Sequence, residues 1–237
     1  MGTTSKPKIS KEEKPKVVRC NFQLIINWIS ENKKEIPATH VEAIMRTPFG
    51  AMFKPIYDGK VKVHNVGRIS KLVERVIGTY SEKDDAFKIG GKILKLTPDD
   101  VAITFGLPKV GRNIVMQPGR KLENVDSDFQ TRQFKGKDKL NKAAICEALK
   151  RTISEKGPQA EEDFARLMIL YMFVTLFLAN SNGSIGCSFL PHIEKFNNIN
   201  TIAWATVIHG NLMTSIRKCY RDPVKTPGCV IQMLVSL

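Results

Sequence analysis

Two sets of residues in this chain are of the types that do chemistry: a pair of adjacent carboxylates, and a cysteine followed by histidines. Asp99 and Asp100 stand side by side in "KLTPDDVAITFGLPKVGRNI", Lys95 to Ile114. Two carboxylates can share general acid and general base work, but they need a further group to orient the reacting atom. The stretch holds neither His nor Cys. Local physics accounts for both acids instead. Thr97 is a good N-cap, Pro98 suits the first helical position, and the two acids fall where unpaired N–H groups and the positive dipole end favour negative charge. Val101, Ala102 and Phe105 supply an apolar face, Gly106 can take the left-handed conformation that closes a helix, and Pro108 prevents continuation.

Cys187 lies between Gly186 and Ser188, with His192 and His209 downstream as bases that could activate it. Its surroundings match no cysteine-hydrolase signature, and a free cysteine most often packs as a small hydrophobe. The other cysteines, Cys20, Cys146, Cys219 and Cys229, form no CxxC pair. An odd count, no metal-ligand spacing and no hydrophobic signal core together read as reduced thiols inside a cell. His40 has no metal-spaced partner and reads as a surface or interhelical residue. No Walker loop, GxGxxG, HExxH, nucleophile elbow or zinc knuckle is present. The expectation is therefore no enzyme, no catalytic residue, no metal, no cofactor and no small-molecule substrate.

Charge points outward, toward partners. The 237 residues carry 37 Lys and Arg against 23 Asp and Glu, a formal charge of +14. Such a balance suits an acidic partner, DNA or RNA first, although it also serves solubility. The local maximum falls between Leu107 and Gly157, with twelve basic residues against six acids. Within "QTRQFKGKDKLNKAAICEALKR", Arg132, Lys135, Lys137, Lys139 and Lys142 are the expected phosphate contacts; the alternative is a solvated linker. Contacts of this kind carry affinity without sequence readout.

The elements that would position these residues follow from periodicity. Residues 1–16 are rich in Lys, Pro, Ser and Glu and read as a disordered basic tail, either a nuclear-import signal or a solubilising one. From 17 to 237 the chain reads as one helical domain with a basic linker at about 109–139. Val18, Phe22, Ile25, Ile26 and Ile29 recur at helical spacing. A short helix carries Val41, Ile44 and Met45 and ends at Pro48 and Gly50, and another carries Ile69, Leu72, Val73, Val76 and Ile77. "AFKIGGKILKL" alternates around Gly90-Gly91 as a two-residue hairpin does. A flexible turn leads into a helix from about Lys139, with Leu140, Ala143, Ala144 and Leu149 facing inward. The hydrophobic run of thirteen residues from Leu167 to Ala179 falls short of the ~20 that a membrane helix needs, so this helix belongs in the centre of a core. Trp204, Val207, Ile208, Leu212 and Ile216 mark an amphipathic helix, and the apolar "TPGCVIQMLVSL" reads as the start of an element that continues, a truncated C-terminus. The fold class is mainly α: a multi-helix globular domain with one small β-hairpin near residues 86–96.

The order of these features resembles a known family. "LTPDDVAITFGLPKVGRNI", the basic linker, "FARLMILYMFVTLFL", "INTIAWATVIHGNLMTSIRK" and "TPGCVIQML" are similar, from about Asn21 onward, to the helical domain of plant transposon-related proteins called the aminotransferase-like plant mobile domain. A closely similar region precedes the plant SUMO-type, ubiquitin-like-protein cysteine proteases carried by transposable elements. The resemblance implies a nuclear, mainly helical, non-enzymatic interaction domain of transposon origin tied to silencing or genome maintenance, with nuclear proteins as partners; a cytoplasmic location is the alternative. The family's name implies no transaminase chemistry here, since no lysine lies in a recognisable pyridoxal-phosphate setting. The Asp-Cys-Gly motif of the protease and its paired His and Asp are absent, so a protease origin would leave only the non-catalytic N-terminal part.

Overall fold

A helix that is apolar on every side has to be surrounded, and the rest of the molecule is arranged to do this. The computed structural model describes residues 21–63, 70–114, 127–135, 139–178 and 183–221. The apolar run forms helix α8 (Pro158–Met172), buried without interruption from Asp163 to Met172, and extends through a wider turn over Phe173–Phe177. There Leu178 N–H donates to the Phe173 carbonyl at 2.7 Å, the i→i−5 bond of a π-helical turn.

Among the described residues seven further helices precede it: α1 (Phe22–Asn32), α2 (Ala38–Met45), α3 (Gly50–Tyr57), α4 (Ser70–Gly78), α5 (Pro98–Phe105), α6 (Asp128–Phe134) and α7 (Lys142–Ile153). α9 (Trp204–Arg221) follows, after 3-10 turns over Cys187–His192 and Phe196–Thr201. α2 and α7 pack on α8, α1 packs on α3, and α5 packs on α9. At the end of α8 the Phe173 ring meets Phe49, Phe177, Phe189 and Trp204 at centroid separations of 4.5 to 5.7 Å. The Trp204 indole N–H, fully buried, donates to the Ile199 carbonyl at 2.8 Å, so its polar end is satisfied inside the cluster.

The predicted hairpin is β2 (Ala86–Ile89) and β3 (Lys92–Leu94), with Gly90 and Gly91 both at positive φ as a primed turn requires. A two-residue strand, β1 (Tyr80–Ser81), completes an antiparallel sheet in the order β1-β2-β3. A second small ladder pairs β4 (Lys139–Asn141) with β5 (Ser184–Gly186) and sets Leu140 opposite Ile185, both buried. Strands of two or three residues leave no readable alternation, which is why the sequence shows only the hairpin. The helix after Thr97 has its full capping box: Asp100 N–H donates to Thr97 Oγ1, and Thr97 N–H donates back to the Asp100 carboxylate. Gly106 closes it at φ 66°.

Three local readings change. Pro48 and Gly50 read locally as the stop of a helix, yet Gly50 opens α3, because burial of Phe53 and Ile56 outweighs the interior Pro55. α7 starts at Lys142 rather than Lys139, since Asn141 caps it by accepting from Ala144 N–H at 2.8 Å; Ala143 then faces solvent. Within the span read as a linker, α6 forms and buries Phe129, Gln133 and Phe134. The tail at 1–16, the first turn expected from Val17, Ile69 and the C-terminal "TPGCVIQMLVSL" lie outside the described residues.

The segment after α5 runs beside the start of α9. Arg112 N–H donates to the Thr201 carbonyl at 2.7 Å, and Ala203 N–H donates to the Arg112 carbonyl at 3.1 Å. Gly111 adopts φ 143°, and a Cβ there would come within 2.5 Å of the Thr201 oxygen. Gly111→Ala is expected to cost about 2 kcal/mol or more, from the strained φ and the backbone clash together. Urea denaturation, compared with the exposed Ala143→Gly as a control, checks it.

Candidate functional site

A carboxylate buried in a core helix must be neutralised by its neighbours, and Asp163 gathers them from α6 and from its own helix, α8. Arg132 of α6 donates to both of its oxygens through Nε and Nη2, each at 3.1 Å. Gln133, next to it, donates at 3.0 Å, Gln159 one turn back on α8 at 3.0 Å, and Arg166 one turn on at 2.8 Å. Five N–H donors therefore meet one carboxylate whose side chain is 2% exposed.

Arg166 is itself buried and uses its remaining donors: Nε to the Ile193 carbonyl at 3.0 Å and Nη2 to Glu162 at 2.8 Å. Its guanidinium lies near the rings of Phe129 and Phe196, at 5.8 and 5.5 Å, which suits a delocalised cation better than an ammonium. The network reaches α7 through Gln133, whose side-chain oxygen accepts from Arg151 Nη2 at 2.8 Å. Thr152, next in α7, has its carbonyl 3.0 Å from His40 Nε2 on α2, and the His40 ring meets Phe164 edge-on at 5.2 Å. His40 is thus a buried interhelical residue. Glu194 closes the far side, accepting from Phe129 N–H at 3.2 Å and from the Ser127 hydroxyl.

A shallow cleft of about 530 Å³ opens above this network, lined by Arg132, Gln159, Asp163, Glu155 and Lys156 among others. Its chemistry is limited by saturation. A carboxylate offers about four lone-pair sites, and Asp163 already accepts from five donors, so it has no vacancy to act as a base. Hydrogen bonding to Asp163 raises the Arg132 pKa further above its ordinary value, which keeps that side chain a fixed cation. The arrangement ties α6, α7 and α8 together.

The five residues expected to touch phosphate separate in the structure. Arg132 faces Asp163. Lys135 sits exposed at the C-cap of α6 with φ 51°, and Lys142 sits exposed at the start of α7. Lys137 and the side chain of Lys139 lie outside the described residues, as does the side chain of Cys187. Of the two histidines weighed as its base, His209 turns Nε2 to the Leu96 carbonyl at 2.8 Å. His192 is half-buried, and burial, with Arg112 as a lesser cause, holds its pKa below the ordinary value. Asp99 is exposed and reaches Lys109. Cys146 is a thiol whose pKa burial pushes up. Among the described residues no group of three or more His, Cys, Asp and Glu could hold a metal ion, and no helix is long and apolar enough to cross a membrane. The network itself left a faint mark in the sequence: Asp163 and Arg166, three apart, stand at the entry to the apolar run from Leu167.

Fold and site together define a mainly helical domain in which, among the described residues, the buried charges Asp163 and Arg166 are matched against one another. The chain belongs to a family described as a domain of unknown function, DUF8566, which matches residues 60–234. No curated protein and no solved structure matches it.

Two outcomes test the site. Asp163→Ala takes from buried Arg166 its buried carboxylate, leaving it only the partly exposed Glu162, and strands the donors of Gln133 and Gln159; it is expected to cost about 3 kcal/mol in urea unfolding. Arg132→Ala is expected to cost less, because Arg132 is 38% exposed and Arg166 still pairs Asp163. The His192 shift has a sign. Above pH 6.5, its ordinary value, both folded and unfolded chains hold it neutral. As pH falls through 6.5 toward the lower folded value, the unfolded chain takes up a proton that the folded chain refuses, and stability drops. His192→Gln should flatten that drop in denaturant midpoints measured from pH 7.5 to 5.

Proposed function

We propose that this chain is a non-enzymatic interaction domain of transposon origin that works in the nucleus, as its likeness to plant mobile domains implies. The observation that carries this reading is the saturation of Asp163: this buried carboxylate has its donors supplied by the fold, so what the domain offers to other molecules is its surface. A membership limited to the non-catalytic part of a SUMO-type protease would offer the same surface.

A second reading, contact with nucleic-acid phosphates, is favoured by the exposure of Lys135 and Lys142 on adjoining helices of a +14 chain. Arg132 is left out of the test, because its removal would disturb the Asp163 network. The experiment titrates duplex DNA with the full chain and with a variant carrying Gln at Lys135, Lys137, Lys139 and Lys142, at several salt concentrations. Under the first reading the two proteins bind DNA equally weakly. Under the second, the variant loses affinity and its salt slope flattens by about 0.9 for each phosphate contact removed.

A further inference from the structure

The small sheet ends in an open edge. β3 pairs with β2 on one side and has no strand on the other among the described residues. Ile89 and Lys92 flank the two-residue turn, and the register continues Lys88 opposite Ile93 and Phe87 opposite Leu94. In such a hairpin the pair next to the turn exchanges hydrogen bonds and the next pair does not, so the N–H and C=O of Ile93 point away from β2, along the free edge. The side chains there are apolar: Ile93 is 59% exposed and Leu94 48%. Sheet edges of this kind are templates for another strand.

Charge decides which strand. Lys92 and Lys95 bracket Ile93 and Leu94, and neither is in a salt bridge among the described residues. Lys88, on the neighbouring strand, pairs with Asp84 at 2.8 Å. Two copies of this edge would set lysines against lysines in a chain of net charge +14, which opposes self-pairing. An acidic strand meets no such penalty. The sheet is also held firmly enough to serve as a platform: Arg217 of α9 donates to both oxygens of Asp85 at 3.0 and 2.6 Å, and Tyr80 O–H donates to Asp85 at 2.5 Å.

We propose that the β3 edge binds an extended peptide of a partner protein, apolar at its centre and acidic at its flanks, as an added strand. Main-chain bonds at Ile93 supply the pairing, Ile93 and Leu94 supply the apolar contact, and Lys92 and Lys95 select the carboxylates. This deepens the interaction-domain reading and rests on it.

The test uses the full chain and a fluorescent nine-residue peptide with a central Val-Ile-Val run and two carboxylates on each side. Controls carry lysines for the acids, or a central proline. The wild type is expected to bind the acidic peptide and neither control. Ile93→Pro removes the outward N–H without taking a bond from the hairpin, and should weaken binding about tenfold or more while circular dichroism stays unchanged. Lys92→Glu with Lys95→Glu should weaken it about fivefold at low salt, with a smaller difference at high salt. If the proline variant unfolds, the lysine pair decides. No binding by the wild type, equal binding of the lysine peptide, or lysine variants that bind unchanged would overturn the proposal. So would a wild-type dimer that Ile93→Pro dissolves, since the edge would then belong to a second copy. A chain that fails here but captures a defined nuclear partner elsewhere on its surface defeats this edge alone and leaves the broader reading standing.

Discussion

The buried pairing of Asp163 with Arg132 and Arg166 is the constraint on which the surrounding architecture depends. α8 is the buried helix on which α2 and α7 pack, and a carboxylate within it is tolerable only while donors hold it. Those donors come from α6 and from α8 itself, and through Gln133 the same network reaches Arg151 and Thr152 of α7. Charged groups thus set the angular position of α8 among its neighbours, which apolar contacts alone specify weakly. The penalty is a helix that cannot be rotated without stranding a charge.

Beyond this polar end, the molecule is held by aromatic packing. Phe173, Phe177, Phe189, Trp204 and Phe49 come from four separate segments and meet where α8 widens into its π-helical turn. The polar end orders orientation and the aromatic end contributes area. Between them, His40 on α2 joins both kinds of contact, through Thr152 and Phe164. Outside this interior, among the described residues, stand the exposed Lys135 and Lys142 and the edge of β3.

Much of the local structure is legible in the residues. The helix from Pro98 to Phe105 has its cap, its first-turn acids and its closing glycine written in nearest-neighbour positions. Gly90-Gly91 states its turn directly, and the unbroken apolar run of α8 states its own burial. α3 is harder to see, because Pro55 and Gly50 argue locally against a helix that burial of Phe53 and Ile56 sustains. β1 and the β4–β5 ladder are too short to show a period, and exist because a distant segment lies alongside.

For charge the division is sharper. The sequence by itself determined the total of +14, its concentration between Leu107 and Gly157, and the mainly helical class, since composition and local periodicity depend on no distant contact. Only the tertiary structure decided what each charge does. Arg132 and Lys135 stand three residues apart with the same sign, yet the first closes on Asp163, 31 residues away along the chain, while the second stays in solvent. No local pattern distinguishes them. The field that does comes from a carboxylate brought close by folding, in a medium where its strength depends on burial.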